Sequence, residues 1–176
     1  MSDKIYIFDT TLRDGAQTQG VDFSLDDKEK ISVALDNLGV DYIEGGWPGA
    51  NPTDTEFFNK KHSFKNSILT AFGMTKKSDH SAENDPMISS LINSKANSIC
   101  LFGKSWDFHV DVALGISKEQ NLKNISESAK HIINSGKEFM FDAEHFFDGY
   151  KSNKEYALSC IKSCLLYTSD AADDGS

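Results

Sequence analysis

The feature that most limits what this chain can fold into is an alternation. Apolar runs rich in Ile, Phe, Tyr and Val fall at Ile5 to Phe8, Tyr42 to Glu44, Ile68 to Phe72, Ile99 to Phe102 and Phe139 to Phe141. Runs of that length and composition predict five buried strands. Between them the apolar spacing becomes helical. Ile31, Ala34, Leu35 and Leu38 recur at i, i+3, i+4 and i+7, with Ser24 placed as an N-cap and Gly39 just past the end. Asn51 and Pro52 begin a second, short helix. Asp85 and Pro86 begin a third that should bury Ile88, Leu91 and Ile92, since proline suits the first helical position. Ser117 with Gln120 predicts a capping box for a fourth helix carrying Leu122, Ile125, Ala129, Ile132 and Ile133, and Gly136 follows it. Ala157, Cys160, Ile161 and Cys164 give a fifth helix the same stripe. Strand then helix, five times, with strands apolar on both faces, predicts parallel strands joined by right-handed crossovers.

Such a series is either an open doubly wound sheet or part of an eight-stranded barrel. The segment after each run is the polar one: "DTTLRDGAQ", "EGGWPG", "GMTKK", "GKSWDFH" and "DAEHFFDGY". That is the pattern of loops that build a site at the carboxyl face of a barrel, whereas an open sheet often carries a glycine-rich phosphate loop, and the first turn has none. The expected fold class is α/β, a partial (β/α)8 TIM barrel. A complete barrel takes about 250 residues, so residues 1–164 are expected to supply about five N-terminal βα units of eight. Residues 165–176, "LLYTSDAADDGS", interrupt the pattern where a sixth strand is due. They read as a non-native tail of the kind left by read-through, or else as an ordinary acidic tail; no function attaches to them.

Charge narrows the partners. Eighteen Lys and Arg against 27 Asp and Glu give a net charge of -9, which argues against a surface made for nucleic acid or an anionic membrane. No apolar stretch is long enough to span a bilayer, and "MSDKIYIFDT" lacks the pattern of a secretory signal, so the expected location is the cytoplasm. The odd set Cys100, Cys160 and Cys164 predicts reduced packing residues, with no metal spacing among them.

The chemistry concentrates in "FDTTLRDGAQ", residues 8–17. Arg13 is permanently charged and planar, suited to hold a carboxylate or a developing enolate oxygen with two directed hydrogen bonds. Asp14 is a hard oxygen donor for a divalent ion that could chelate a 2-oxo acid. Gly15 lets the backbone come close, and Gln17 offers a donor and an acceptor. Read alone, the same two charges also make a surface ion pair in a capped loop.

Asp9 to Gln17 match D-T-T-L-R-D-G-x-Q, and on this nine-residue motif the sequence resembles the metal-dependent Claisen-condensing acyltransferases and lyases with a TIM barrel. That family holds isopropylmalate, homocitrate and citramalate synthases and hydroxymethylglutaryl-CoA lyase. "YIEGGWPGANP", "GKSWDFHV" and "FDAEHFFDGYK" are similar to its citramalate synthase branch, and the resemblance runs from about Lys4 to Cys164. It implies that Arg13 stabilises the enolate or carbonyl oxygen, Asp14 is a metal ligand, and Gln17 contacts substrate. It further implies that Glu44 lines the site and that Glu144, with Asp142 on the same face of an extended segment, points at the reacting carbons, to orient the acyl methyl or to serve as acid or base. A loop or capping carboxylate is the alternative for Glu144. Lys104 and His109 are read as rim or solvated loop residues, and Phe72 and Phe102 as a wall against the 2-oxo acid or as ordinary packing.

The resemblance implies acetyl-CoA as co-substrate, a divalent metal (Mn, Mg or Zn), pyruvate as acceptor, citramalate as product on the way to isoleucine, and a homodimeric parent. The family's metal is completed by a late His-x-His pair, and His62, His80, His109, His131 and His145 never fall two apart. The parent is therefore expected to be an enzyme and the 176-residue chain an incompetent fragment. The alternatives are isopropylmalate or homocitrate synthesis, and a non-catalytic half-barrel.

Overall fold

The structure is a computed structural model that describes residues 4–165. The five strands are β1 (Phe8–Asp9), β2 (Tyr42–Gly46), β3 (Ile68–Met74), β4 (Ser98–Lys104) and β5 (Glu138–Glu144), in the order β1-β2-β3-β4-β5. The helices are α1 (Leu25–Leu38), α2 (Pro52–Asn59), α3 (Pro86–Asn93), α4 (Asp107–His109), α5 (Lys118–Asn134), α6 (Phe146–Ser152) and α7 (Lys154–Leu165). These are the first βα units of a partial (β/α)8 fold, as the alternation of periods requires. The tail after Leu165 lies outside the described residues.

The chain divides into two compact units, Met1–Gly73 with Ser90–Ile99, and Met74–Ser89 with Cys100–Ser176. In the first, β1 and β2 pair in parallel through Phe8 with Tyr42 and Asp9 with Ile43, and β2 and β3 through Tyr42 with Ile68 onward to Glu44 with Thr70. Its core is Leu12, Ile43, Phe57, Phe58, Leu69, Leu91 and Ile99, all buried. In the second, Val110, Ile125, Ala129, Tyr156, Cys160 and Cys164 form one cluster, with Phe139 and Phe141 packed against it.

The caps behave as composition dictates. Ser24 and Asp27 close a capping box at the head of α1, and Gly39 ends the helix at φ 87°, in the left-handed region. Asn51 caps α2 through the Asp54 N–H, and Ser117 caps α5 through the Gln120 N–H. Gln120 does not complete the expected box; its amide donates to Asn124 Oδ1 instead.

Four expectations are corrected. Strand β1 is shorter than the apolar run: Ile5, Tyr6 and Ile7 are 85%, 57% and 58% exposed, and the ladder begins at Phe8. Strand β5 has no fully buried residue, so the expectation of strands covered on both faces fails there as well as at β1. On α1 the buried positions are Lys28, Ser32 and Asp36, while Leu38 is 77% exposed. That face is polar because its side chains satisfy backbone groups: Asp36 accepts the N–H groups of Lys65, Asn66 and Ser67 at 2.8 to 3.1 Å. Two segments expected as loops also contain helix, α4 with a π-turn over Val110–Leu114, and α6.

Candidate active site

In the first unit the residues after β1 turn back on themselves. The Thr10 carbonyl accepts the N–H groups of Arg13, Asp14 and Gly15 at 3.1, 2.8 and 3.1 Å, and Asp9 Oδ1 accepts the Thr11 N–H. This tight wrap aims Arg13 at β2. Its Nε donates to Glu44 Oε2 at 2.7 Å, its Nη1 to Asp14 Oδ1 at 3.2 Å, and its guanidinium lies 3.9 Å from the centre of the Phe72 ring. Trp47 meets that ring edge-on, with centroids 5.8 Å apart. The Arg13 side chain is 17% exposed, Glu44 1% and Asp14 62%. Glu44 thus holds the guanidinium from behind, Phe72 supports its face, and Nη2 makes no hydrogen bond among the described residues. That remaining edge can receive a carboxylate or an enolate oxygen.

A buried ion pair fixes this arrangement, and sequence reasoning missed it. Lys28 Nζ donates to the Leu12 and Gly45 carbonyls at 2.9 and 2.8 Å and to Asp54 Oδ1 at 2.5 Å. Leu12 and Gly45 are the chain neighbours of Arg13 and Glu44, so one ammonium group ties the two segments. Asp54 Oδ2 accepts the Trp47 N–H at 2.8 Å and the Asn51 amide at 3.0 Å. Gly46 permits this closeness: at φ 140°, a Cβ there would sit 2.6 Å from Asp54 Oδ2. The available signal was a lysine one turn before Ile31 on the face expected to be buried, and an aspartate three residues after Asn51. Beside these groups lies a cavity of about 460 Å³ whose lining includes Arg13, Gln17, Lys28 and Trp47. Gln17 is exposed at its edge.

In the second unit Glu144 ends β5, and its Oε2 accepts from Lys104 Nζ at 2.5 Å. Ser105 donates to the Glu144 carbonyl through both its N–H, at 3.2 Å, and its hydroxyl, at 2.8 Å. Lys104 is therefore a partner of Glu144 rather than a solvated loop residue. Phe102 and Lys104 share the lining of a cavity of about 270 Å³ with Lys76, Leu114, Ile116 and Asn124. Asp142 is exposed on β5. The rings of His109 and His145 meet edge-on at 4.6 Å, next to Trp106. Behind Lys104, Asn121 donates to its carbonyl at 2.8 Å and to the Tyr156 hydroxyl at 2.8 Å. Burial pushes the Tyr156 phenol up and the Cys160 thiol up to about 11. All three cysteines are free and buried.

Asp14 alone does not make a cation site. Among the described residues no group of three or more His, Cys, Asp or Glu side chains gathers to hold a metal ion, and a hard dication takes about six ligands. Among those residues, too, no helix is long and apolar enough to cross a membrane.

Strand and helix units with charged groups at the carboxyl ends of their strands define an enzyme scaffold of the (β/α)8 class. The chain belongs to the HMGL-like family, whose model matches residues 4–163. It is 52% identical over 167 residues to an (R)-citramalate synthase of Aquifex aeolicus, covering 94% of the chain and 32% of that relative. Identity to the (R)-citramalate synthase of Sulfolobus acidocaldarius is 47% over 161 residues, covering 90% and 31%. A 2-isopropylmalate synthase of the same organism is 31% identical over 164 residues, covering 93% and 40%. The chain thus spans about a third of the length of the citramalate synthases it matches. The crystal structure of a Bacillus subtilis HMG-CoA lyase superposes with a TM-score of 0.73 at 16% identity, over 93% of the chain and 55% of that protein, which speaks to the fold alone.

Proposed function

We propose that the whole protein condenses acetyl-CoA with pyruvate to give citramalate and free CoA. The observation that carries this reading is the braced guanidinium of Arg13, 2.7 Å from a glutamate that is 1% exposed, in a chain 41 to 52% identical to citramalate synthases and 31 to 34% identical to 2-isopropylmalate synthases. In the condensation a base breaks a C–H bond of the acetyl methyl, and the electron pair left behind attacks the keto carbon of pyruvate. The keto oxygen gains negative charge, and the open edge of Arg13 is suited to stabilise it. Glu144 is the proposed base. The resulting alkoxide takes up a proton to become the product hydroxyl, and water then cleaves the citramalyl thioester, releasing CoA. Gln17 and Asp142 are proposed to contact substrate, with Glu44 acting through Arg13. The divalent cation (Mn, Mg or Zn) would supply Lewis acidity and take Asp14 as one ligand, the described residues supplying no complete set.

Reduced, buried cysteines support a cytoplasmic location, and a homodimer is proposed for the whole protein. The test is free-thiol release from acetyl-CoA by the whole protein, with pyruvate compared against 2-oxoisovalerate. Pyruvate is expected to turn over at least tenfold faster, since one small apolar group is worth about 1 to 3 kcal/mol of discrimination. Faster turnover of 2-oxoisovalerate would favour the 2-isopropylmalate reading instead.

A further inference from the structure

We infer that Lys104 is the positioning residue for Glu144, holding one carboxylate oxygen so that the other faces the acetyl methyl. The inference rests on the proposed role of Glu144 as base. Lys104 Nζ lies 2.5 Å from Glu144 Oε2, with the two side chains 18% and 32% exposed. Glu144 Oε1 makes no hydrogen bond among the described residues. A lysine suits this task because its ammonium is a compact point charge that can engage one carboxylate oxygen alone, whereas the planar fork of an arginine would occupy both.

Both partners are also fixed at the backbone. The Lys104 carbonyl accepts from the Asn121 amide at 2.8 Å and from the Cys160 thiol at 3.8 Å, and the Glu144 carbonyl receives both donors of Ser105. Anchored at each end, the pair has few orientations open to it, which is the geometric condition for efficient proton transfer. In the step itself the methyl C–H bond breaks, its electron pair stays with the enolate, and the proton passes to Oε1. Lys104 keeps its own protons throughout.

The experiment uses Lys104→Ala, Lys104→Met, Glu144→Gln and the Lys104→Ala/Glu144→Gln double variant in the whole protein. Lys104→Ala is expected to lower kcat about tenfold to a hundredfold, in line with a lost hydrogen bond to a charged group, with KM for both substrates unchanged. The cavity of about 270 Å³ that Lys104 helps to line should admit n-propylammonium, which is expected to restore part of the turnover of Lys104→Ala and none of that of Glu144→Gln. Adding Lys104→Ala to Glu144→Gln should cost nothing further. Wild-type turnover in Lys104→Ala, or a loss that adds in full to that of Glu144→Gln, would overturn the inference while leaving the base assignment standing. Unimpaired turnover in Glu144→Gln would instead remove the base itself, and the inference with it. Should alanine at 104 prevent folding, Lys104→Met keeps the apolar stem and is read in the same way. In the unsubstituted chain, a slowly exchanging Lys104 ammonium signal coupled to the Glu144 carboxylate carbon is expected by NMR; its absence would also count against the pairing.

Discussion

The first unit and the second each set a cation beside a glutamate carried by a strand, and they do so by different physical means. Around Arg13 the support is charged and buried: Glu44 is 1% exposed, and Lys28 with Asp54 stitches together the segments that carry the pair. Around Glu144 the support is neutral. Ser105 and Asn121 hold backbone carbonyls, a raised phenol and a raised thiol lie behind them, and the ion pair itself remains partly open to solvent. A group that stabilises developing charge gains from a fixed, dry surrounding that needs no rearrangement during reaction. A group that takes up a proton must reach its substrate and later give the proton away, so a half-open setting with a fixed backbone suits it.

That contrast can be broken most severely at Lys28. Lys28→Met leaves Asp54 buried without its cation and is expected to destabilise the protein by about 3 to 5 kcal/mol, read from denaturant unfolding. A cost below 1 kcal/mol would mean that the charged support is dispensable. Next comes Arg13→Lys, which keeps the charge and loses the planar fork. Turnover is expected to fall by about a hundredfold or more with an unchanged circular dichroism spectrum, and near-normal turnover would remove Arg13 from the chemistry.

Asp36 gives the first unit a dependence on pH. Burial pushes its carboxyl up, but the N–H groups of Lys65, Asn66 and Ser67 outweigh that effect and leave it below the ordinary carboxylate value. A depressed folded value means that this stabilisation is present above the unfolded pKa, near 3.9, and is lost as acid carries the solution through the lower, folded one. Asp36→Asn should therefore cost about 1 to 3 kcal/mol at neutral pH and converge with the parent in strong acid. A difference independent of pH would refute the assignment. The smallest effect is expected in the second unit, where the Cys160 thiol, raised to about 11 by burial, should react with a disulfide reagent at pH 8 only as fast as the protein unfolds.

Much of the scaffold was legible in the sequence because its signals are local. Ser24, Asn51 and Ser117 cap the helices they were expected to cap, and Gly39 ends α1 in the left-handed region. Arg13 was legible as a candidate for the same reason, since a charged pair at a strand end is visible in nine residues. The Glu44 brace, the Lys28 staple and the Lys104 pairing were not, because each joins residues 26 to 40 positions apart or lies on a helix face whose polar lining contradicts its apolar spacing. Strand ends fail for a related reason. Ile5 to Ile7 have strand composition, yet composition does not say whether a neighbouring strand is there to cover them.

Gly46 carries a practical lesson for redesign. Because a Cβ at this position would run into the Asp54 carboxylate, any library built on this scaffold must leave that codon alone: even a methyl there would evict the anion that anchors the whole β2 shoulder. Diversity is better spent on residues that face the open cavities, Phe102 among them.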